Sequence, residues 1–579
     1  MVHLNAGSKT KGTDGLTIRD YKVIDEDKFV KSIQESLASY HPKMVRRVMI
    51  PKDNGKERPL GIPTMRDRII QQMFKQILEP IVEAKFHNHS YGFRPNRSQH
   101  YAMARSAFLI NMAHLHYVVD VDIAGFFDNV DHRKLINQLY NIGIKDKRVL
   151  TLINRMLKAE IEGEGVPTKG TPQGGILSPL LSNVVLNDLD WWVSNQWETF
   201  ETKKKFTTRE NKMITLKKKS NLKPMFIVRF ADDFKIFTNT HENAQKIYVG
   251  VKDYLQNQLH LEISPEKSKI TNLRKRKSDF LGFEIKAVKK GKKYVAHTNV
   301  MKSKKQKILK KGRELVQKVK KRPNAKNVNL FNSWVLGIHN YNRIATHVSI
   351  DFSRIAYCLN RTMYIRFKSI GKYSIPEKPN RTYKKFYGKN NYKTWLIKDI
   401  YIYPIADVKV RSPKGFTQSI CNYTQEGREK IFKKIEDEVT LQIHKMMKSY
   451  IPNRSIEYLD NRISKYSMQK GKCHVTGIFL LSHEVHCHHI KAVKDGGDDS
   501  FRNLVIMHED IHKLIHATND EIIAKYSKGL NTNHINKINK LRESLELKPI
   551  IDSASDDVPK VSTEQKNEKD SNPSRSVTY

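Results

Sequence analysis

The sequence predicts an α/β multidomain protein, and three observations predict it. Over residues 1–295, short β-branched runs alternate with amphipathic stretches and hold most of the Gly and Pro punctuation. Near residue 300 the texture changes to long basic helices, and a compact His-rich unit follows at 455–545. The 579 residues suffice for several domains of the usual ~100–200 residues. No repeat at solenoid or propeller spacing is visible.

Charge narrows the function classes. Lys and Arg total 104 against 60 Asp and Glu, a net charge of +44. A surface this cationic repels itself unless a polyanion neutralises it, so nucleic acid is the expected partner. No apolar run approaches the ~20 residues that span a bilayer, so no membrane partner is expected. The start of the chain has no apolar signal core. Four scattered cysteines do not make a disulfide framework, which fits a reducing compartment such as a bacterial cytoplasm or nucleoid.

Taken in order, Tyr117-Val-Val-Asp-Val-Asp-Ile123 alternates and reads as a strand ending near Asp122. Lys203–Lys219 is polar and basic and reads as an inserted loop. Phe226–Phe230 and Phe234–Phe237 flank a turn with two carboxylates, Asp232 and Asp233, and read as a hairpin. Lys304–Arg322 reads as a basic helix with Ile308, Leu315 and Val319 on one face, and Asn329–Arg366 as a second helical stretch. Residues 386–450 mix Tyr, Trp and Lys without a clear period, and 546–579 reads as a polar, disordered tail. Asp122, Asp232 and Asp233 form the first constellation with a chemistry. Nucleotidyl transfer uses two divalent ions ~3.5–4 Å apart, which carboxylates on neighbouring strands can hold.

The surrounding motifs carry a resemblance. Asn5–Ile18, Arg58-Pro-Leu-Gly-Ile-Pro, Ser90-Tyr-Gly-Phe-Arg-Pro, Gly170-Thr-Pro-Gln-Gly-Gly, Phe230-Ala-Asp-Asp, Leu261–Lys269 and Phe280-Leu-Gly-Phe283 follow one another along the chain. In content and order they resemble the reverse transcriptases of group II introns, including their maturases, with Phe230 where Tyr is usual. The resemblance also leads one to expect a helical extension before the Asn5–Ile18 block, of which this chain carries little.

The resemblance implies a right-hand polymerase, with fingers and an antiparallel palm sheet over 1–295. A helical thumb or maturase domain would span 296–385, and a DNA-binding or linker region 386–454. It implies Mg2+ on Asp122, Asp232 and Asp233, the catalytic carboxylates. Lys52 and Arg58 would clamp the triphosphate, and Phe127 would lie against the sugar. Gln173 would touch the template–dNTP pair, and Lys267 would give a proton to the leaving pyrophosphate. In the thumb, Trp334, Tyr341 and Tyr357 would stack on unpaired bases. The implied partners are group II intron RNA, target DNA and dNTPs, and the assemblies it allows include a homodimer. Two other readings share parts of this pattern: a splicing maturase without polymerase activity, and a retron or defence-type reverse transcriptase.

The His-rich unit carries a second resemblance. Cys487-His-His-Ile-Lys491, Gly496-Gly-Asp-Asp-Ser-Phe-Arg-Asn503 and His512-Lys-Leu-Ile-His516 resemble the HNH endonuclease motif, a ββα-metal unit. His512 and His516 are four apart and share a helix face. The resemblance makes His488 the third ligand of one divalent metal, Mg2+ or Mn2+. His489 would activate water, and Asn503 would brace the loop. A structural zinc held by four cysteines is not expected, because Thr476 stands three residues past Cys473, and His508 and Ile511 occupy the other pair's places.

Overall fold

Two units divide the chain, Met1–Tyr450 and Ile451–Tyr579. A computed structural model describes all residues except 1, 3–5, 22–24, 52–54, 56, 434, 450, 453 and 551–579.

In the first unit, short helical segments and the helix Glu26–Ala38 precede an antiparallel hairpin, β1 (Arg46–Pro51) and β2 (Glu57–Ile62), in which Val48 faces Leu60. Helix α1 (Met65–Glu83) follows, capped by the Thr64 hydroxyl, which accepts the Asp67 N–H. Strand β3 (Tyr117–Val121) is buried from Val118 onward. Helix α2 (Ser178–Asn195) is apolar around most of its circumference and correspondingly buried along its length.

Residues 209–219, expected as loop, form helix α3 (Arg209–Lys219). Thr208 caps its start by accepting the Asn211 N–H, and Lys217–Lys219 sit at the negative end of its dipole. The basic composition that suggested a loop is thus placed where a helix favours it.

Strands β4 (Phe226–Phe230), β5 (Asp233–Thr238) and β6 (Lys269–Asn272) complete a four-stranded antiparallel sheet with β3, in the order β4-β5-β3-β6. On one face, Val119, Val121, Ile227, Phe234 and Ile236 pack with Leu181, Val184 and Leu189 of α2 in one apolar core. A three-stranded sheet follows: β7 (Ser278–Phe280), β8 (Phe283–Lys290) and β9 (Lys293–Val300).

Helix α4 (Lys302–Lys321) buries Ile308, Leu315 and Val319 as its pattern predicts, together with Val316. The expected single stretch 329–366 is two helices, α5 (Ala325–Asn342) and α6 (Val348–Phe367). The break has a tertiary cause. Thr346 N–H donates to Thr298 Oγ1 at 2.9 Å, and its hydroxyl and the His347 N–H both donate to the Thr298 carbonyl of β9.

Within the stretch 386–450, residues 394–403 are held against the helices before them. With β10 (Lys372–Ser374), strands β11 (Thr394–Ile397) and β12 (Ile400–Tyr401) make a small sheet. Asn332 of α5 donates to the Tyr401 carbonyl and accepts from Tyr403 N–H, both at 2.8 Å.

In the second unit, helix α7 (Ile456–Met468) precedes the antiparallel pair β13 (Val485–His489) and β14 (Leu504–His508). Helix α8 (Glu509–His516) follows directly, so the order is strand, strand, helix. The tail boundary at 546 falls too early. Ile550 is buried, and its backbone N–H and C=O are both held by the Asn539 side chain. The rest of that segment lies outside the described residues.

Candidate functional site

Asp122 follows the last residue of β3, Val121, which pairs with Phe234 of β5. Asp233 begins β5, and Asp232 sits in the preceding turn, where Ala231 takes a left-handed φ of 60°. This register sets Asp122, Asp232 and Asp233 along one edge of the central sheet. Asp232 and Asp233 are exposed, while Asp122 is 44% exposed at its side chain. Protein packed around Asp233 pushes its pKa up to about 6; repulsion from Asp120, Asp232 and Asp122 adds to this, and Lys235 opposes it. Hard oxygen ligands, mutual repulsion and solvent access together suit Mg2+.

Lys267 is drawn to the same edge. Its ammonium donates to Asp122 Oδ2 at 3.0 Å, which holds its pKa above the usual value. The loop carrying it is tied to Asp122 by two further bonds. Asp122 N–H donates to Ser268 Oγ at 3.1 Å, and Ser264 N–H donates to the Asp122 carbonyl at 2.7 Å. Asp120 lies on the same face of β3 but is buried and committed elsewhere. Lys235, its cross-strand partner, donates to it, as do Ser278 at 3.0 Å and Thr271 at 3.3 Å.

Beneath the aspartate turn lies a fully buried ion pair, Arg229 of β4 with Asp190 of α2. The guanidinium meets Asp190 through Nη2 at 2.6 Å and Nε at 2.8 Å. It also donates to Asn183 Oδ1 and to the Ala231 carbonyl, each at 2.9 Å, so it grips the turn that carries Asp232. Asn183 in turn donates to the Gly92 carbonyl at 2.9 Å. A Cβ on Gly92 would meet Ala231 N at 2.2 Å, so only glycine lets the 90–94 segment lie directly against the turn.

One loop gathers three more of the expected residues. Arg58 Nε donates to Gln173 Oε1 at 2.6 Å, and Gly61 N–H donates to the Gln173 carbonyl at 2.6 Å. Gly174, at φ 115°, permits this contact, since a Cβ there would meet the Gly61 carbonyl at 2.4 Å. Two residues before Gln173, Thr171 N–H donates to the Phe127 carbonyl at 2.7 Å. Phe127 itself is 8% exposed and edge-on to Phe126, so most of its ring belongs to the core. Lys52 lies outside the described residues.

In the second unit, strand alternation puts His486 and His488 on one face of β13 and His489 on the other. His488 meets His512 and His516, one turn apart on α8. Ligand atoms of these three all lie within 4.8 Å of one another, and they are the only such trio among the described residues. The aspartate edge does not close into a cage of that kind. His488 is buried, and its Nε2 has no protein partner. Burial first, then the neighbouring imidazoles, pushes His488 and His512 down to about 3, leaving both in the neutral, ligand form.

His489 Nε2 bonds Asp499 Oδ1 at 2.8 Å, and Asp499 accepts from Ser455 at 2.5 Å. The His489 ring stacks on Tyr458 at 5.4 Å. The Asn503 side chain accepts Lys491 N–H at 2.8 Å and donates to the Lys491 and Asp498 carbonyls, pinning both ends of the intervening loop.

Comparison with known proteins decides the lineage of the first unit. Residues 50–285 match the family described as reverse transcriptase (RNA-dependent DNA polymerase). Protein YkfC of Escherichia coli (strain K12) is 33% identical over 284 residues, 46% of this chain and 74% of that protein. The chain belongs to the reverse transcriptase family. Group II intron-encoded protein LtrA of Lactococcus lactis subsp. cremoris is 34% identical over 331 residues, 50% of this chain and 54% of LtrA. Nuclear intron maturase 1, mitochondrial, of Arabidopsis thaliana is 28% identical over 222 residues, 26% of this chain and 30% of its own. The chain therefore spans about half of LtrA and less of the maturase. Among the described residues, no helix of this reverse transcriptase is long and apolar enough to cross a membrane.

Three supporting residues escaped sequence reasoning: Arg229 and Asp190 behind the aspartate turn, and Asp499 beside His489. Arg229 interrupts the apolar run Phe226-Ile-Val-Arg-Phe230, and Asp190 sits on a helix that is otherwise buried. A charge at an obligatorily buried position demands a partner, and that was the available signal. Asp499 lies in a Gly-Asp-rich loop, where nothing separates it from Asp498 by pattern.

Proposed function

We propose that the chain is an RNA-directed DNA polymerase of a group II intron that assists splicing of its intron RNA and cuts target DNA with its histidine unit. The observation that carries this reading is the alignment of Asp122, Asp232 and Asp233 on one sheet edge of a reverse transcriptase family member. Magnesium held by these carboxylates supplies the charge that activates a primer 3′-hydroxyl and steadies the leaving pyrophosphate. Arg58, with Gln173, orients the incoming triphosphate against its template base. Lys267 stands beside Asp122 as the proton donor to pyrophosphate. Phe127 bounds the sugar site from the core side.

In the histidine unit, a divalent Mg2+ or Mn2+ held by His488, His512 and His516 supplies Lewis acidity at a scissile phosphodiester. His489, oriented by Asp499, takes the proton from water. The strand-strand-helix order and the brace at Asn503 support an HNH reading of this unit. Intron RNA and target DNA as partners are supported by the +44 net charge and by the relatives named for group II introns.

The test is primer extension on an RNA template with a DNA primer, dNTPs and Mg2+, with Asp232→Ala alongside. Extension by the native chain and none by the variant is expected. A folded native chain that binds RNA yet extends nothing would shift the reading to a splicing maturase without polymerase activity.

A further inference from the structure

The thumb-side aromatics part company in three dimensions. Tyr341 stacks on Phe283 at 5.8 Å and lies under the Lys304 ammonium, so its ring is occupied by the protein. Tyr357 is 83% exposed. It opens a stripe on α6 at helical spacing, Tyr357, Arg361 and Tyr364, on the side away from the buried Phe352, Ile355 and Leu359. After α6 the chain turns tightly, with the Ile370 and Gly371 N–H groups both donating to the Phe367 carbonyl. It then enters β10, which sets Tyr373 opposite Trp395 of β11. Their rings lie 5.0 Å apart, and Tyr364 approaches Trp395 at 6.1 Å.

Helix and sheet thus border an open cleft of about 500 Å³ with Tyr357, Tyr364, Tyr373 and Trp395 on its walls and Arg361 and Asn360 among them. That size falls within the ~300–1,000 Å³ of ligand-holding clefts. Trp395 is 4% exposed and forms the buried floor, while Tyr357, Tyr364 and Tyr373 remain 83%, 56% and 48% exposed. Exposed aromatic faces around a guanidinium, with no acidic residue in the lining, suit a flat, hydrogen-bonding aromatic group attached to an anion. The chain's net charge of +44 directs that choice to a polyanion.

We propose that this cavity takes an unpaired base of single-stranded RNA, stacked among Tyr357, Tyr364 and Tyr373. Arg361 meets the flanking phosphate, and Asn360 meets the base edge. The inference rests on the reading of the first unit as an RNA-binding reverse transcriptase, and it adds a recognition point distant in sequence from the aspartate edge. Duplex RNA, whose bases are already stacked, does not enter.

Cys358 lines the same cavity as an exposed free thiol, which supplies a reporter in the native chain. The experiment is the rate of Cys358 alkylation by N-ethylmaleimide, read by peptide mass spectrometry. It is run with and without an unstructured 20-nucleotide RNA, its duplex, and the DNA of the same sequence. Single-stranded RNA is expected to slow alkylation and duplex not to. Tyr357→Ala and Tyr373→Ala should each abolish the protection and weaken RNA binding about 10-fold, the size of one lost base–aromatic stack. Tyr357→Phe should retain both.

RNA binding without protection of Cys358 would overturn the proposal. So would protection that persists in Tyr357→Ala, protection by duplex, or protection by DNA alone, and the first of these outcomes would leave a protein partner as the occupant. Primer extension by the same preparations separates the two readings. Protection without extension sinks the polymerase and keeps the cavity, and extension without protection does the reverse.

Discussion

The aspartate edge and the histidine cluster solve the same problem, gathering metal-binding side chains, by opposite routes. Asp122 and Asp232–Asp233 come from strands far apart in sequence and meet only through the register of the central sheet. His488, His512 and His516 come from one hairpin and the helix that follows it. The long-range site rests on a fully buried ion pair and a glycine contact, and its carboxylates repel one another. The local site is made of imidazoles whose ligand atoms already lie within 4.8 Å of one another, with His488 and His512 kept neutral by burial. A site assembled over distance is therefore expected to fail through its scaffold, and a site assembled locally through its own side chains.

The largest effect should come from Arg229→Met. It leaves Asp190 buried and unpaired, which costs about 3–5 kcal/mol in denaturant unfolding of the first unit. Adding Asp190→Leu should restore much of that stability, yet not primer extension, because the bond from Arg229 to the Ala231 carbonyl is still gone. Recovery of both together would mean that the pair stabilises the fold without positioning the turn.

Next is His489→Ala, expected to lower DNA nicking about 10²-fold or more while calorimetric Mn2+ binding holds. Asp499→Asn should cost less. A variant at 489 that loses the metal instead would make that residue a ligand and break the division of roles.

A smaller effect concerns Lys304, whose ammonium lies 3.3 Å from the Tyr341 ring centroid and is pushed down to about 7 by burial. The unfolded chain holds this proton up to its ordinary value of 10.5, so between about 7 and 10.5 the folded state binds fewer protons. Stability should therefore rise with pH through that window, with the full penalty present below about 7. Lys304→Met should flatten the rise in Tm, and an unchanged slope would contradict the burial account. The gentlest probe is salt. RNA affinity should fall with a log–log slope of roughly −0.7 per neutralised phosphate, and a flat response would remove nucleic acid as the partner of the positive charge.

The two sites also differed in how far they could be read from sequence. Spacing alone put His512 and His516 on one helix face, because four residues make about one turn. Alternation along Tyr117–Ile123 puts Asp120 and Asp122 on the same face, and only the motif resemblance picked out Asp122. The cross-strand register separates the two by setting Lys235 against Asp120 and leaving Asp122 at the open end. The link between Arg229 and Asp190 joins a strand to a helix, and no local period reports it. The break between α5 and α6 was hidden for the same reason, since Thr298 of another element imposes it. Local chemistry was legible from spacing and the distant aspartates from motif content and order, whereas the supporting contacts between distant elements were not.

The most direct test of two independent centres is a crossed assay. Asp232→Ala and His512→Ala are each measured for extension of a DNA primer on RNA and for nicking of target DNA in the presence of the intron RNA. The account predicts that Asp232→Ala loses extension and keeps nicking, and that His512→Ala does the reverse. Loss of both activities in either variant, or extension that survives Asp232→Ala, would contradict it.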